Sequence, residues 1–280
     1  MRKWVVCSMV SALAVLAVWG VPGAQAQTVP PPNRDLTGVW NKKQAASPSW
    51  APNTNRTFAS EIPLQQWAQD HCREVGCGRG VNSAGQPVGD AYFQGKDPAL
   101  IRCAPYGFPR IMIDADHFEI FQIPNRIFMR FYRNNEQRQI WMDGRGHPKD
   151  VELTWKGHSI GRWDGDTLVV DTVGILSGEN GKVKWLDAAG HPHSDDLHVT
   201  ERIRRVNQNT MQIDFVFEDP KTFTAPIRSR VIYGLLPNEE IVEYIQCEDR
   251  IFADKETEAW PFVTKDYDYK PQFPPAGTQR

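Results

Sequence analysis

The chain has 280 residues, with 32 Lys and Arg against 34 Asp and Glu, and is 40% hydrophobic and 11% aromatic. So even a charge balance argues against a nucleic-acid or anionic-membrane partner. The length suits one large β domain, which can run to roughly 200–250 residues without splitting.

Arg2 and Lys3 form a short positive region, Trp4 to Trp19 is largely apolar, and Ala24-Gln25-Ala26 has the small-x-small form that signal peptidase reads. Residues 1–26 are therefore expected to be a signal peptide, leaving Gln27 first and the protein periplasmic or secreted. The apolar run is short for a membrane span and no second one follows, so no membrane anchor is expected. Loss of Arg2 and Lys3 takes the basic count from 32 to 30 against 34 acidic residues, a formal charge of −4.

Residues 27–34 read as a Pro-rich leader, 35–250 as a single β-barrel domain and 251–280 as a C-terminal tail. Within the domain, 41–116 is irregular apart from one short helix near Pro63–Cys72, where Pro63 suits a first turn. Four cysteines remain after Cys7 leaves with the signal. In an oxidising compartment they point to two disulfides. Cys72–Cys77 and Cys103–Cys247 is the pairing expected among three connectivities; a zinc site is the alternative, although no C-x-x-C pair exists.

Beyond Asp116 the pattern becomes period-two alternation with turn signals. The predicted strands are His117–Ile123, Arg126–Tyr132, Gln137–Met142, Ser159–Trp163, Thr167–Thr172, Leu197–Val206, Thr210–Phe217, Arg228–Tyr233 and Glu240–Cys247. Short turns such as Pro124-Asn125 and the type I′ candidate Asp164-Gly165 join most of them. Consecutive antiparallel strands make a meander, and with a further strand at Leu36–Trp40 the expected fold is all-β, closing into a barrel so that no edge stays open. A two-layer sandwich is the other solution.

The segment Asp187 to Arg205 concentrates the chemistry. In the alternation Leu197, Val199, Glu201, Ile203, the Glu201 carboxylate falls on the core face. A buried carboxylate needs a partner, a metal or a raised pKa. Glu201 is thus either an acid/base or half of an ion pair, with Arg130 or Arg228 as candidate partners. His191 and His193, two apart in an extended segment, share a face and with Asp195 make a candidate metal set; the alternative is that both imidazoles cap a turn or meet solvent. Asp143-Gly144-Arg145-Gly146-His147 combines an acid, a guanidinium and an imidazole in a Gly-kinked turn. It is either a turn closed by an Asp143–Arg145 pair or a site with His147 as base and Arg145 as oxyanion partner.

DLTGVW is similar to the opening of lipocalin-like proteins, whose Gly-x-Trp motif begins the first barrel strand. There the Trp packs across the closed end beneath an Arg from near the last strand; the resemblance makes Trp40 that Trp and Arg250 a candidate partner. The segments CAPYGFPR, WMDGRGHP, TWKGHSIGRWDGDTLVVDT, WLDAAGHPHSDDLHVTERIRRV and EYIQCEDR resemble a family of exported soil-bacterial proteins over most of Asp35 to Arg250. That resemblance implies export and no particular activity.

The expected function is a barrel that binds a small, largely apolar molecule, aromatic or terpenoid-like. Asp143, Trp141, Trp155, Trp163 and Trp185 are the candidate binding residues, although core packing is the default role of the tryptophans. In the catalytic version Glu201 is the acid/base, His147 or His193 shuttles the proton and Arg145 stabilises an oxyanion, giving isomerisation, hydration or elimination without a cofactor. A carrier without catalysis and a metal-assisted hydrolase using His191, His193 and Asp195 are the alternatives.

Overall fold

A computed structural model describes residues 33–43, 58, 62–77, 80–81, 87–88, 97–101, 104–114, 117–178 and 184–244. The barrel strands are β1 (Gly38–Lys42), β4 (His117–Ile123), β5 (Arg126–Phe131), β6 (Gln137–Trp141), β7 (His158–Asp164), β8 (Thr167–Val173), β9 (His198–Asn207), β10 (Thr210–Glu218) and β11 (Ile227–Leu235). A two-stranded ribbon, β2 (Gly80–Val81) with β3 (Pro87–Val88), stands apart from them. Helix α1 spans Gln66–Val75, and two single turns follow, α2 (Pro98–Ile101) and α3 (Ile111–Asp114).

The nine strands close in the order β1-β11-β10-β9-β8-β7-β6-β5-β4, so the expected all-β closed barrel is what forms. Alternation carries it. In β5 Ile127, Met129 and Phe131 are buried, in β8 Leu168, Val170 and Thr172, and in β10 Met211, Ile213, Phe215 and Phe217. These side chains point inward and meet in a single core.

Two details differ from a plain meander. β6 and β7 pair in parallel, through Ile140↔Ser159 and Trp141↔Ile160, because the long 142–157 connection carries the chain back to the end where β6 began. The strand expected over Glu240–Cys247 does not form across 240–244, and its last three residues lie outside the described ones. The sheet closes one strand earlier because β1 pairs with both β11 (Trp40↔Leu235) and β4 (Trp40↔Phe118). Ile241 and Tyr244 pack instead, Tyr244 edge-on against Tyr132 at 5.3 Å.

Residues 104–114 close one end. Gly107 has φ +67°, and a Cβ there would lie 2.6 Å from the Trp155 carbonyl, so only glycine fits. Phe108, Ile111 and Met112 are buried, and the turn is anchored by Arg110, which donates to Asp97 at 2.5 and 2.9 Å and to Asp114 at 2.8 Å. Across the other end lie residues 33–36: Asn33 donates to Asp166 at 2.9 Å and Arg205 to the Asp35 carbonyl at 2.7 Å. Trp40 is fully buried, its indole donating to the Leu36 carbonyl at 2.8 Å. The guanidinium over its ring, at 5.4 Å, belongs to Arg205 at the end of β9; Arg250 lies outside the described residues.

The Cys72–Cys77 disulfide is present, straddling the C-terminus of α1, where Gly76 takes the left-handed conformation. Cys103 and Cys247 lie outside the described residues, as does the expected signal peptide.

Candidate functional site

Glu201 points into the barrel, as its strand alternation dictates, and its side chain is 0% exposed. Its partner is Arg138 of β6, equally buried, rather than Arg130 or Arg228. One guanidinium nitrogen donates to Oε1 at 3.0 Å and the other to Oε2, a bidentate pair. Arg138 also donates to Thr172 Oγ1 at 3.0 Å and Ser159 Oγ at 3.2 Å, and those two hydroxyls lie 2.9 Å apart. The Phe108 ring lies 3.7 Å from the guanidinium carbon. Nearby, Tyr233 donates to the Met112 carbonyl at 2.7 Å. Burial, with the Glu201 charge behind it, holds the Tyr233 hydroxyl well above the ordinary phenol range. The result is a polar layer across the apolar part of the barrel interior. Its charges are matched internally, as buried charges must be.

His147 lies on the other side of the wall. Its Nε2 sits 3.1 Å from Asp171 Oδ2, and its Nδ1 faces His158 Nδ1 at 2.8 Å. Asp171 Oδ1 is held in turn by His198 Nε2, and His198 Nδ1 lies 3.4 Å from Glu218. Five titratable side chains from the 142–157 connection and β7 to β10 thus form one chain on the outer face. The hydrogen bond from His198 holds the Asp171 carboxyl below the usual carboxylate range, and the same bond raises the His198 imidazole. Desolvation, then the neighbouring His147 and Arg145, lowers His158.

His193 occupies a third place. It is fully buried, its Nδ1 donates to the Ser194 carbonyl at 2.9 Å and its Nε2 has no hydrogen-bond partner among the described residues. Burial pushes its pKa down to about 3, with the Lys184 charge adding to the effect, so the ring is neutral. His191 Nδ1 bonds Asp187 at 2.8 and 2.9 Å, and Asp195 accepts the Ser177 amide at 2.6 Å. His191, His193 and Asp195 therefore face separate partners. Among the described residues, no group of three or more His, Cys, Asp and Glu is arranged to hold a metal ion. Glu201, His147 and His193 do not meet: one is inside the barrel, one on its outer wall, and one within the 174–197 loop.

Arg145 closes a turn with Asp143, donating to it at 2.5 and 2.9 Å, and lies 3.5 Å over the Trp141 ring. Arg126 approaches the same indole at 4.3 Å, so Trp141 belongs to the outer face. Trp185 is buried, Trp155 and Trp163 are half-buried, and Arg34 lies 5.5 Å over Trp163.

Two groups escaped the sequence reading. Arg138 shares its strand face with the buried Ile140, a period-two signal masked by the heavier Gln139–Trp141 face. Lys184 is buried and donates to the Phe108 and Trp155 carbonyls, which fixes the 174–197 loop to the end plug. Desolvation lowers its ammonium well below the ordinary lysine range.

No family model matches this chain, and neither does any curated protein or solved structure.

Proposed function

We propose that this protein is an exported barrel that binds one small, largely apolar molecule, aromatic or terpenoid-like, and carries it without transforming it. What supports this reading is the closed barrel itself, whose apolar interior is crossed by a polar layer of Arg138, Glu201, Ser159, Thr172 and Tyr233. Binding needs no cofactor, nucleic acid or membrane anchor. The carrier reading is favoured over cofactor-free isomerisation, hydration or elimination by the state of Glu201. Both its oxygens accept N–H groups from one guanidinium, so the carboxylate is taken up by a structural partner and is not presented to a bound molecule as a base.

Titration of the mature chain with geraniol, indole and benzyl alcohol, followed by tryptophan fluorescence and calorimetry, tests the reading. Saturable binding of one molecule per chain, weakened by Thr172→Val without loss of fold, is the expected result. No saturable binding by any of these classes would reject it. Turnover of a bound compound that stops in Glu201→Gln would replace carrier with enzyme.

A further inference from the structure

The connection that follows β6 lies against the barrel wall instead of standing away from it. Trp141, Ile160 and Asp171 are successive neighbours across β6, β7 and β8. The connection sets Arg145 on the first of these and His147 on the last. His147 is the attachment with unusual chemistry, because its second nitrogen meets His158 Nδ1 at 2.8 Å. Two facing imidazole nitrogens hold one proton between them: one ring donates and the other supplies the lone pair. Asp171 accepts from His147 Nε2, so in neutral rings the shared proton sits on His158. One added proton on the pair reverses donor and acceptor and leaves the contact intact. A second proton leaves no lone pair in the gap and sets two cations face to face.

We propose that His147 and His158 form a proton-gated latch, which holds residues 143–151 on the outer wall at neutral pH and releases them when both rings are protonated.

The charged groups around the pair fix the sign. Burial against the wall, then the charges of His147 and Arg145, disfavours the His158 cation; Asp171 of β8 faces His147, and is backed by His198 of β9 and Glu218 of β10. The latched state therefore binds fewer protons at His158 than the released state, where the ring returns to its ordinary 6.5. Latching is complete above that value and is lost as pH falls through the lowered one. The His198–Asp171 pair runs the other way. Asp171 stays ionised and keeps accepting from His147, so the first proton is tolerated and the second opens the latch. Release uncovers the outward face around Trp141 and Ile160.

Tryptic cleavage after Arg145 reads the released state. Rates at about pH 7.5 and about pH 5.5, each divided by that of a free peptide of the same segment, should show a rise of about tenfold at the lower pH. His158→Gln offers His147 an amide N–H that cannot titrate, and should abolish the rise. His147→Ala should raise cleavage at both pH values. A wild-type ratio independent of pH, or a rise that persists in His158→Gln, would overturn the proposal. Imidazole nitrogen spectra of the wild type supply a check independent of any variant. His147 protonated on Nε2 and His158 on Nδ1 at neutral pH is expected, and the opposite tautomers would also overturn it.

Discussion

The barrel wall carries charge on both faces, and the two faces handle it in opposite ways. Inside, Arg138 and Glu201 are fully buried, bidentate and surrounded by hydroxyls and a phenyl ring. Outside, His147, His158, Asp171, His198 and Glu218 are partly exposed and linked end to end through both nitrogens of two imidazoles. Desolvation explains the contrast: charge taken out of water is tolerated only with a fixed partner, whereas charge at the surface can gain or lose a proton at little cost. The inner set is therefore held in one fixed arrangement, and the outer set can respond to the surroundings.

The largest expected effect comes from splitting the inner pair. Arg138→Met leaves Glu201 buried without a cation and should lower stability by roughly 3–5 kcal/mol in urea melts. A loss under about 1 kcal/mol would mean that water reaches the layer. Replacing both partners, Arg138→Met with Glu201→Leu, should recover most of that loss, since an apolar pair of similar volume avoids the desolvation cost. Failure to recover would show that the charges also organise Ser159 and Thr172. A smaller loss, on the order of 1 kcal/mol, is expected for Thr172→Val, which removes one acceptor from Arg138 but leaves the ion pair.

The outer face should yield the smallest effect, recognisable by its pH dependence. The His198 imidazole is raised by Asp171, so its contribution is complete below the ordinary histidine value of 6.5 and fades as pH rises through the raised one. His198→Gln should cost about 0.5 kcal/mol at mildly acidic pH, the scale of an exposed pair, and nothing measurable in mild alkali. Equal losses at both pH values would show that packing, not charge, holds His198.

Much of the barrel is legible in the sequence, because a strand with one wet face must alternate. That logic places eight of the nine barrel strands beyond Asp116 and turns Glu201 inward. It cannot say which guanidinium crosses the interior, since Arg138 and Glu201 stand on strands separated by β7 and β8 and meet only through the curvature of the sheet. The end plug is equally opaque: Arg110 is held by Asp97 and Asp114, and the reason Gly107 must be glycine lies in the distant Trp155 carbonyl. Alternation also misleads at Glu240–Cys247, where the pattern continues past the point at which β1 has already taken the available edge. The outer histidines are visible as residues, but their chain depends on the register of β8 with β9 and of β9 with β10.

The double pairing of β1 has a consequence for how the molecule assembles. β4 to β11 join neighbour to neighbour and can form by short-range steps, whereas β1 must wait for β11, nearly the whole described length away in sequence. Closure is thus the strand pairing of highest sequence separation in the barrel, with the largest loop-closure cost. Without β1 the other eight strands would leave two raw edges, on β4 and β11. Five residues, Gly38–Lys42, blunt both at once, and a chain lacking them should stick to its own copies edge to edge.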